Sequence, residues 1–142
     1  MDNTLPLEIL LIEDNDYDAE LTMRALREYN MGNKIVRLSD GQEALDYFFS
    51  TKEKPNEIPR VILLDLKLPG VNGLEVLKQL KNHELTQTIP VVILTSSTEE
   101  IDIQTCYHLG VNSYISKPVE FDSFQNTMKT LGMYWLLMNR AP

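Results

Sequence analysis

Apolar residues along this chain fall into five short runs, and between the runs lie polar turns and segments of helical period. The most informative run is Val61-Ile62-Leu63-Leu64, which closes on Asp65 and then breaks into Leu66-Lys67-Leu68-Pro69-Gly70. Four aliphatic residues in a row, too few for a helix and bounded by turn residues, predict a strand buried on both faces, as inside a parallel sheet. Leu7 to Ile12 is a second such run and also ends in acid, at Glu13-Asp14. Lys34 to Leu38 is a third; Val91 to Leu94, opened by Pro90, is a fourth; and Asn112 to Ser116 is a short fifth ending at Lys117-Pro118.

The intervals carry the other period. Asn15 or Asp16 caps a first helix whose opening turn is loaded with Asp16, Asp18 and Glu20, and Ala19, Met23 and Leu26 form its apolar stripe. Met31-Gly32-Asn33 stops it. Ser39-Asp40-Gly41 turns into a second helix with Ala44, Leu45 and Phe48 inward, and Leu74, Leu77 and Leu80 share a face of a third. Glu99-Glu100 starts a fourth, which runs to Leu109 and stops at Gly110. A final helix carries Phe121, Phe124, Met128, Leu131 and Trp135. The polar stretch from Ser50 to Arg60, with two prolines, is a surface connection too short to link two folds. Strands alternating with helices predict a parallel sheet covered on both faces.

Composition narrows the picture without redirecting it. At 142 residues and 43% apolar content the chain suits one domain able to bury a core of its own. Thirteen Lys and Arg against 21 Asp and Glu give a net charge of −8, which argues against DNA as a partner. Cys106 is the single cysteine, so neither a disulfide nor a Cys-rich zinc site is expected. Without a signal-like start or an apolar run of about 18 residues, a cytoplasmic protein free of the membrane is expected.

Candidate chemistry then follows from topology. In a parallel sheet Glu13, Asp14, Asp65, Thr95 and Lys117 all emerge at one edge, where open α/β sheets bind their ligands. Carboxylates gathered there either raise a pKa or hold a cation, and an all-oxygen acidic set favours Mg²⁺ over zinc or copper. Metal, the ammonium of Lys117 and the hydroxyl of Thr95 would surround one carboxylate with what a transferring phosphoryl group requires. Asp65, alone at the end of the central run, is the expected nucleophile, forming an aspartyl phosphate, and the adjacent Glu13 and Asp14 are better placed to hold the metal.

Four segments in order, Leu11-Ile12-Glu13-Asp14-Asn15, Leu64-Asp65-Leu66-Lys67-Leu68-Pro69-Gly70, Leu94-Thr95-Ser96 and Ser116-Lys117-Pro118, resemble the response-regulator receiver domain over nearly the whole chain. The resemblance implies an α/β, flavodoxin-like (βα)5 doubly wound parallel sheet of strand order 2-1-3-4-5. It implies one receiver domain over residues 1–142, with a core at about 7–131 and a C-terminal helical extension to about 139. It also implies phosphotransfer from a phosphohistidine of a sensor histidine kinase to Asp65. Mg²⁺ would be held by Asp14, Asp65 and the main-chain carbonyl of Lys67, with Glu13 helping directly or through water. Thr95 and Lys117 would bind the phosphoryl oxygens, Tyr114 matches the switch aromatic that turns inward as Thr95 moves, and Lys117-Pro118 matches a peptide bond usually cis in the family. Glu13 stands where many members carry Asp. Asp40 to Phe48 and Leu131 to Asn139 look more like the single-domain regulators associated with bacterial and cyanobacterial phytochromes, which makes a phytochrome-type photoreceptor a candidate kinase.

Not every side chain earns a role. His83 and His108 lack partners at metal-ligand spacing, and Cys106 suits packing rather than redox work. The last helix exceeds a single stripe: Met133, Tyr134, Leu136, Leu137 and Met138 make its end apolar nearly all round, which favours a homodimer or docking surface at the C-terminal face. The expected protein is therefore a phosphoaccepting signalling domain rather than an enzyme, catalysing only its own phosphotransfer and dephosphorylation. The rival readings are a small Mg²⁺-dependent aspartyl-phosphate phosphatase, disfavoured by Lys67 where such enzymes carry a second acid, and a receiver-like scaffold that takes no phosphate.

Overall fold

A computed structural model of the chain describes residues 7–28, 34–50, 56–95, 100–111, 113–117, 120, 122, 123, 126 and 127. Along these residues strands and helices alternate: β1 (Ile9–Ile12), α1 (Asp16–Glu28), β2 (Ile35–Leu38), α2 (Gly41–Phe49), β3 (Val61–Asp65), α3 (Gly73–Lys81), β4 (Val91–Thr95), α4 (Glu100–His108) and β5 (Ser113–Ser116). All five strands are parallel and lie in the order β2-β1-β3-β4-β5. The expected five strands and their order are thus present. The residues that were to form the fifth helix's stripe, Phe121, Phe124, Met128, Leu131 and Trp135, lie outside the described residues, as do the apolar positions from Met133 onward and Pro118.

Period-two alternation sends neighbouring strand residues to opposite faces, and the core divides accordingly. Leu10, Ile12, Ile62, Leu64, Val91 and Ile93 pack with Ala44, Leu45 and Phe48 of α2, Val76, Leu77 and Leu80 of α3 and Cys106 of α4. Ile9, Leu11, Val61, Leu63, Val92, Leu94 and Ile115 pack on the other face with Ala19 and Leu26 of α1. Every residue of β1 and β3 is buried, which is why neither strand shows an apolar–polar alternation in sequence. Two stripes differ in detail from expectation: α1 also buries Thr22, with Met23 only half-buried, and α3 buries Val76, with Leu74 at the margin. A helix lying on a sheet covers a band wider than one row, so the residue next to the row is buried as well.

The helix starts are local events that the sequence encodes. Asn15 Oδ1 accepts from the Asp18 amide at 2.8 Å, Asp40 Oδ1 from Glu43 at 2.8 Å and Asn72 Oδ1 from Glu75 at 3.0 Å, each cap being worth ~1 kcal/mol. Gly110 has φ +96, the left-handed stop expected after α4. Gly73 and Gly41 serve another purpose. A Cβ on Gly73 would run into the backbone of Asp65 and Leu66, and one on Gly41 into the carbonyl of Val71. These two glycines let the N-termini of α3 and α2 close tightly on the loop that leaves β3.

Candidate functional site: an acidic cluster at the carboxyl edge of the sheet

Three parallel strands deliver the site. β1 hands over to Glu13 and Asp14, β3 ends on Asp65, and Lys117 follows β5 directly. Ligand oxygens of Glu13, Asp14 and Asp65 lie within 4.8 Å of one another. Glu13 is fully buried, Asp65 is 3% exposed, and Asp14 opens to solvent. The ammonium of Lys117 reaches across the edge and donates to Glu13 Oε1 at 2.9 Å, Asp18 Oδ2 at 3.0 Å and Asp65 Oδ2 at 3.2 Å. The Lys67 amide donates to Asp65 Oδ1 at 3.2 Å, and the Asn15 amide to Glu13 Oε2 at 3.2 Å. Both oxygens of Asp65 are therefore engaged, one by the loop that follows it and one by Lys117.

Charge in this cluster does not balance. Four carboxylates, Glu13, Asp14, Asp18 and Asp65, gather near one ammonium, which contacts Glu13, Asp18 and Asp65. Burial, followed by the hydrogen bond and negative charge of Asp65, lifts the Glu13 carboxyl from 4.5 to about 7, although Lys117 and the Asn15 amide pull the other way. Burial likewise disfavours the Lys117 ammonium, but hydrogen bonds to Glu13 and Asp18 and the charges of Asp65 and Glu13 outweigh it and hold the group protonated above the ordinary lysine range. A buried Glu13 carboxyl that resists ionisation, the buried Asp65 beside it, an exposed third acid and only oxygen donors form a set suited to a hard divalent cation.

The remaining expected residues fall at the same edge to different degrees of definition. Thr95 is the last residue of β4, one position beyond the partner of Asp65 and opposite Ser116; only its backbone is described. Tyr114, paired with Ile93 on β5, is half-buried against the α2–α3 face and meets the exposed Tyr107 of α4 edge-on at a centroid distance of 6.3 Å. Lys67 is exposed in the β3–α3 loop. His83 is exposed, stacks on Phe49 at 4.6 Å and accepts the Leu85 amide at 3.0 Å, a local turn contact away from the acids. Cys106 is buried packing.

Two residues at the site were not singled out from sequence. Asp18 entered as helix-dipole charge, yet it is the third carboxylate on Lys117; no spacing signal set it apart, since Asp14 lies before the first turn of α1. Arg37 of β2 donates to the carbonyl of Glu13 through Nε at 3.0 Å and Nη2 at 2.8 Å. It also reaches the carbonyl of Asp14 at 3.2 Å and Asp16 Oδ1 at 2.9 Å. A lone charge in an otherwise apolar strand was its signal.

Comparison with known proteins is decisive about the family. The model of the response regulator receiver domain matches residues 9–129. This chain belongs to the response regulator receiver domain family. Among solved receiver structures, the bacteriophytochrome response regulator AtBRR shares 48% identity at a TM-score of 0.83, covering 95% of this chain and 99% of its own. The Mn²⁺-bound form of response regulator Rcp1 shares 32% identity at a TM-score of 0.74, covering 96% of this chain and 99% of its own. Among curated relatives, the probable methanogenesis regulatory protein FilR2 of Methanothrix harundinacea is 44% identical over 137 residues, 96% of this chain and 88% of its own length. The family match thus runs from residue 9 to residue 129, and no helix among the described residues is long and apolar enough to cross a membrane.

Proposed function

We propose that this receiver domain takes a phosphoryl group on Asp65 from the phosphohistidine of a sensor histidine kinase, with Mg²⁺ bound beside it, and transmits that state as a change in protein contacts. The observation that carries the reading is the buried Asp65 carboxylate at the end of the central strand, grouped with Glu13 and Asp14 and 3.2 Å from the Lys117 ammonium. In the step, an Asp65 oxygen attacks phosphorus as the phosphorus–nitrogen bond of the donor breaks, and the imidazole leaves with the bonding pair. Asp14, Asp65 and the Lys67 carbonyl would hold the metal, with Glu13 helping directly or through water. A bound Mg²⁺ would neutralise charge on the phosphoryl oxygens. Lys117 must exchange its carboxylate partners for a phosphoryl oxygen, Thr95 supplies a hydroxyl to another, and Tyr114 follows Thr95 toward the core.

The regulator is read as one domain over residues 1–142 that acts in the cytoplasm through contacts rather than turnover. Likeness to AtBRR makes a phytochrome-type sensor kinase the first partner to try, and the apolar C-terminal segment makes a second copy of the chain the next. Incubation with Mg²⁺ and a small phosphodonor, followed by intact mass measurement, tests the core of this. We expect a single phosphate adduct on the wild type and none on Asp65→Asn. Rapid multiple turnover of the donor would instead favour a phosphatase, and no adduct at all a phosphate-independent scaffold. Truncation before Tyr134 should abolish self-association; an unchanged oligomeric state would remove the C-terminal dimer.

A further inference from the structure

The acid pair depends on backbone that no strand finishes holding. β1 ends at Ile12, so the carbonyls of Glu13 and Asp14 leave the sheet at a point where the Glu13 side chain is fully buried, and buried main-chain groups need partners. Both elements of that support come from β2. Leu38 O accepts the Glu13 amide at 3.0 Å, and Arg37 grips the Glu13 carbonyl with two nitrogens and the Asp14 carbonyl with one of them. The Arg37 side chain is only 22% exposed, and its guanidinium is braced by Asp16. Rigid donors in the fixed geometry of a planar fork hold two successive carbonyls in a way that a single ammonium on a flexible stem does not.

We propose that Arg37 is a positioning residue for the divalent-cation site, fixing the Glu13-Asp14 backbone so that both carboxylates face Asp65. This rests on the metal reading given above. The sign of its effect separates it from a plain electrostatic contribution. A positive charge near the acids opposes cation binding, so if charge alone mattered, removing Arg37 would tighten the metal. If the fork positions the ligands, removing it loosens the metal despite the relief of repulsion.

Titration of the full chain with Mn²⁺ alone, following the free ion by electron paramagnetic resonance and the fold by thermal melting, tests this. Arg37→Gln should weaken Mn²⁺ about 10-fold, the usual size for loss of an outer partner that orients metal ligands. Arg37→Lys, which keeps the charge and loses the fork, should also weaken it several-fold, and it carries the test should Arg37→Gln fail to fold. Asp16→Asn, which removes only the exposed brace, should stay within about 3-fold of the wild type, below the outer-partner range. Unchanged or tighter Mn²⁺ binding in the Arg37 variants, or a lowered melting temperature with unchanged affinity, would overturn the positioning role while leaving the metal site standing. Absence of saturable Mn²⁺ binding by the wild type would overturn both.

Discussion

Glu13 should make the metal-free domain lose stability as the solution turns from acid to neutral. Its carboxyl is buried beside Asp65, and the folded state raises its pKa from 4.5 to about 7. For an acid with a raised folded value, the protonated form is the one the fold favours. The contribution is complete below about 4.5 and is lost as pH rises through about 7. At about 1.4 kcal/mol for each tenfold change in proton affinity, the full effect is about 3 kcal/mol, of which about 2–3 kcal/mol falls between pH 5 and pH 8. Glu13→Gln keeps the shape and an oxygen able to accept from Lys117, but it cannot ionise. Urea unfolding of both proteins at pH 5 and pH 8, in chelator and at fixed ionic strength, gives a double difference in which titrating groups that do not interact with Glu13 cancel. We expect the wild type to lose about 2–3 kcal/mol more than Glu13→Gln over that interval, and saturating Mg²⁺ to restore most of it. Equal pH dependence in the two proteins would show that Glu13 ionises freely in the fold, and the electrostatic case for a cation at this edge would fall with it.

Other consequences are simpler to read. Gly73→Ala drives a methyl group into the backbone of Asp65 and Leu66; equilibrium unfolding should show about 1–3 kcal/mol of destabilisation, and phosphorylation by a small donor should slow because the acceptor loop must move. Thr86 is fully buried and its hydroxyl donates to the Leu80 carbonyl at 2.6 Å, beneath the end of α3; Thr86→Val should cost about 1–3 kcal/mol in the same assay. Tyr47, whose hydroxyl donates to the Glu57 carbonyl at 2.7 Å, is pushed up to about 12, first by burial and then by the Glu57 charge. Its neutral form is favoured in the fold, so stability should fall between about pH 10 and 12 in the wild type and less in Tyr47→Phe; identical alkaline unfolding of the two would refute it. Thr95→Ala and Lys117→Ala should still accept some phosphate yet lose the change in partner affinity, and retention of that change in both variants would sink the role given to them.

The frame of the molecule was legible in the sequence because parallel-sheet physics writes it plainly. Runs such as Ile9–Ile12 and Val61–Leu64 are apolar on both sides because both sides are covered, and their ends mark one edge where Glu13, Asp14, Asp65 and Lys117 meet. What pattern could not supply was pairing between side chains. Asp18 looked like one of several acids in a helix's first turn, and nothing in its spacing distinguished the one that reaches Lys117 from its solvated neighbours Asp16 and Glu20. Arg37 stood out only as a lone charge in an apolar strand; two of its three partners are main-chain carbonyls, which leave no mark on composition or periodicity. Gly41 read as a turn residue, whereas it and Gly73 serve to permit close approach of backbone, a matter of tertiary distance. Thr86 sat in a polar segment and gave no sign of burial.

The proposed phosphorylation of Asp65 is the point on which everything else turns, and an acyl phosphate there can be trapped. Treating the Mg²⁺- and phosphodonor-incubated protein with borohydride and sequencing its peptides by mass spectrometry reads the acceptor directly, because reduction of an aspartyl phosphate leaves homoserine in its place. We expect homoserine at position 65 and reduction at no other acid of the edge, with none in protein incubated without donor. Phosphate resistant to borohydride, or a reduced side chain at position 13, 14 or 18 in place of 65, would contradict it.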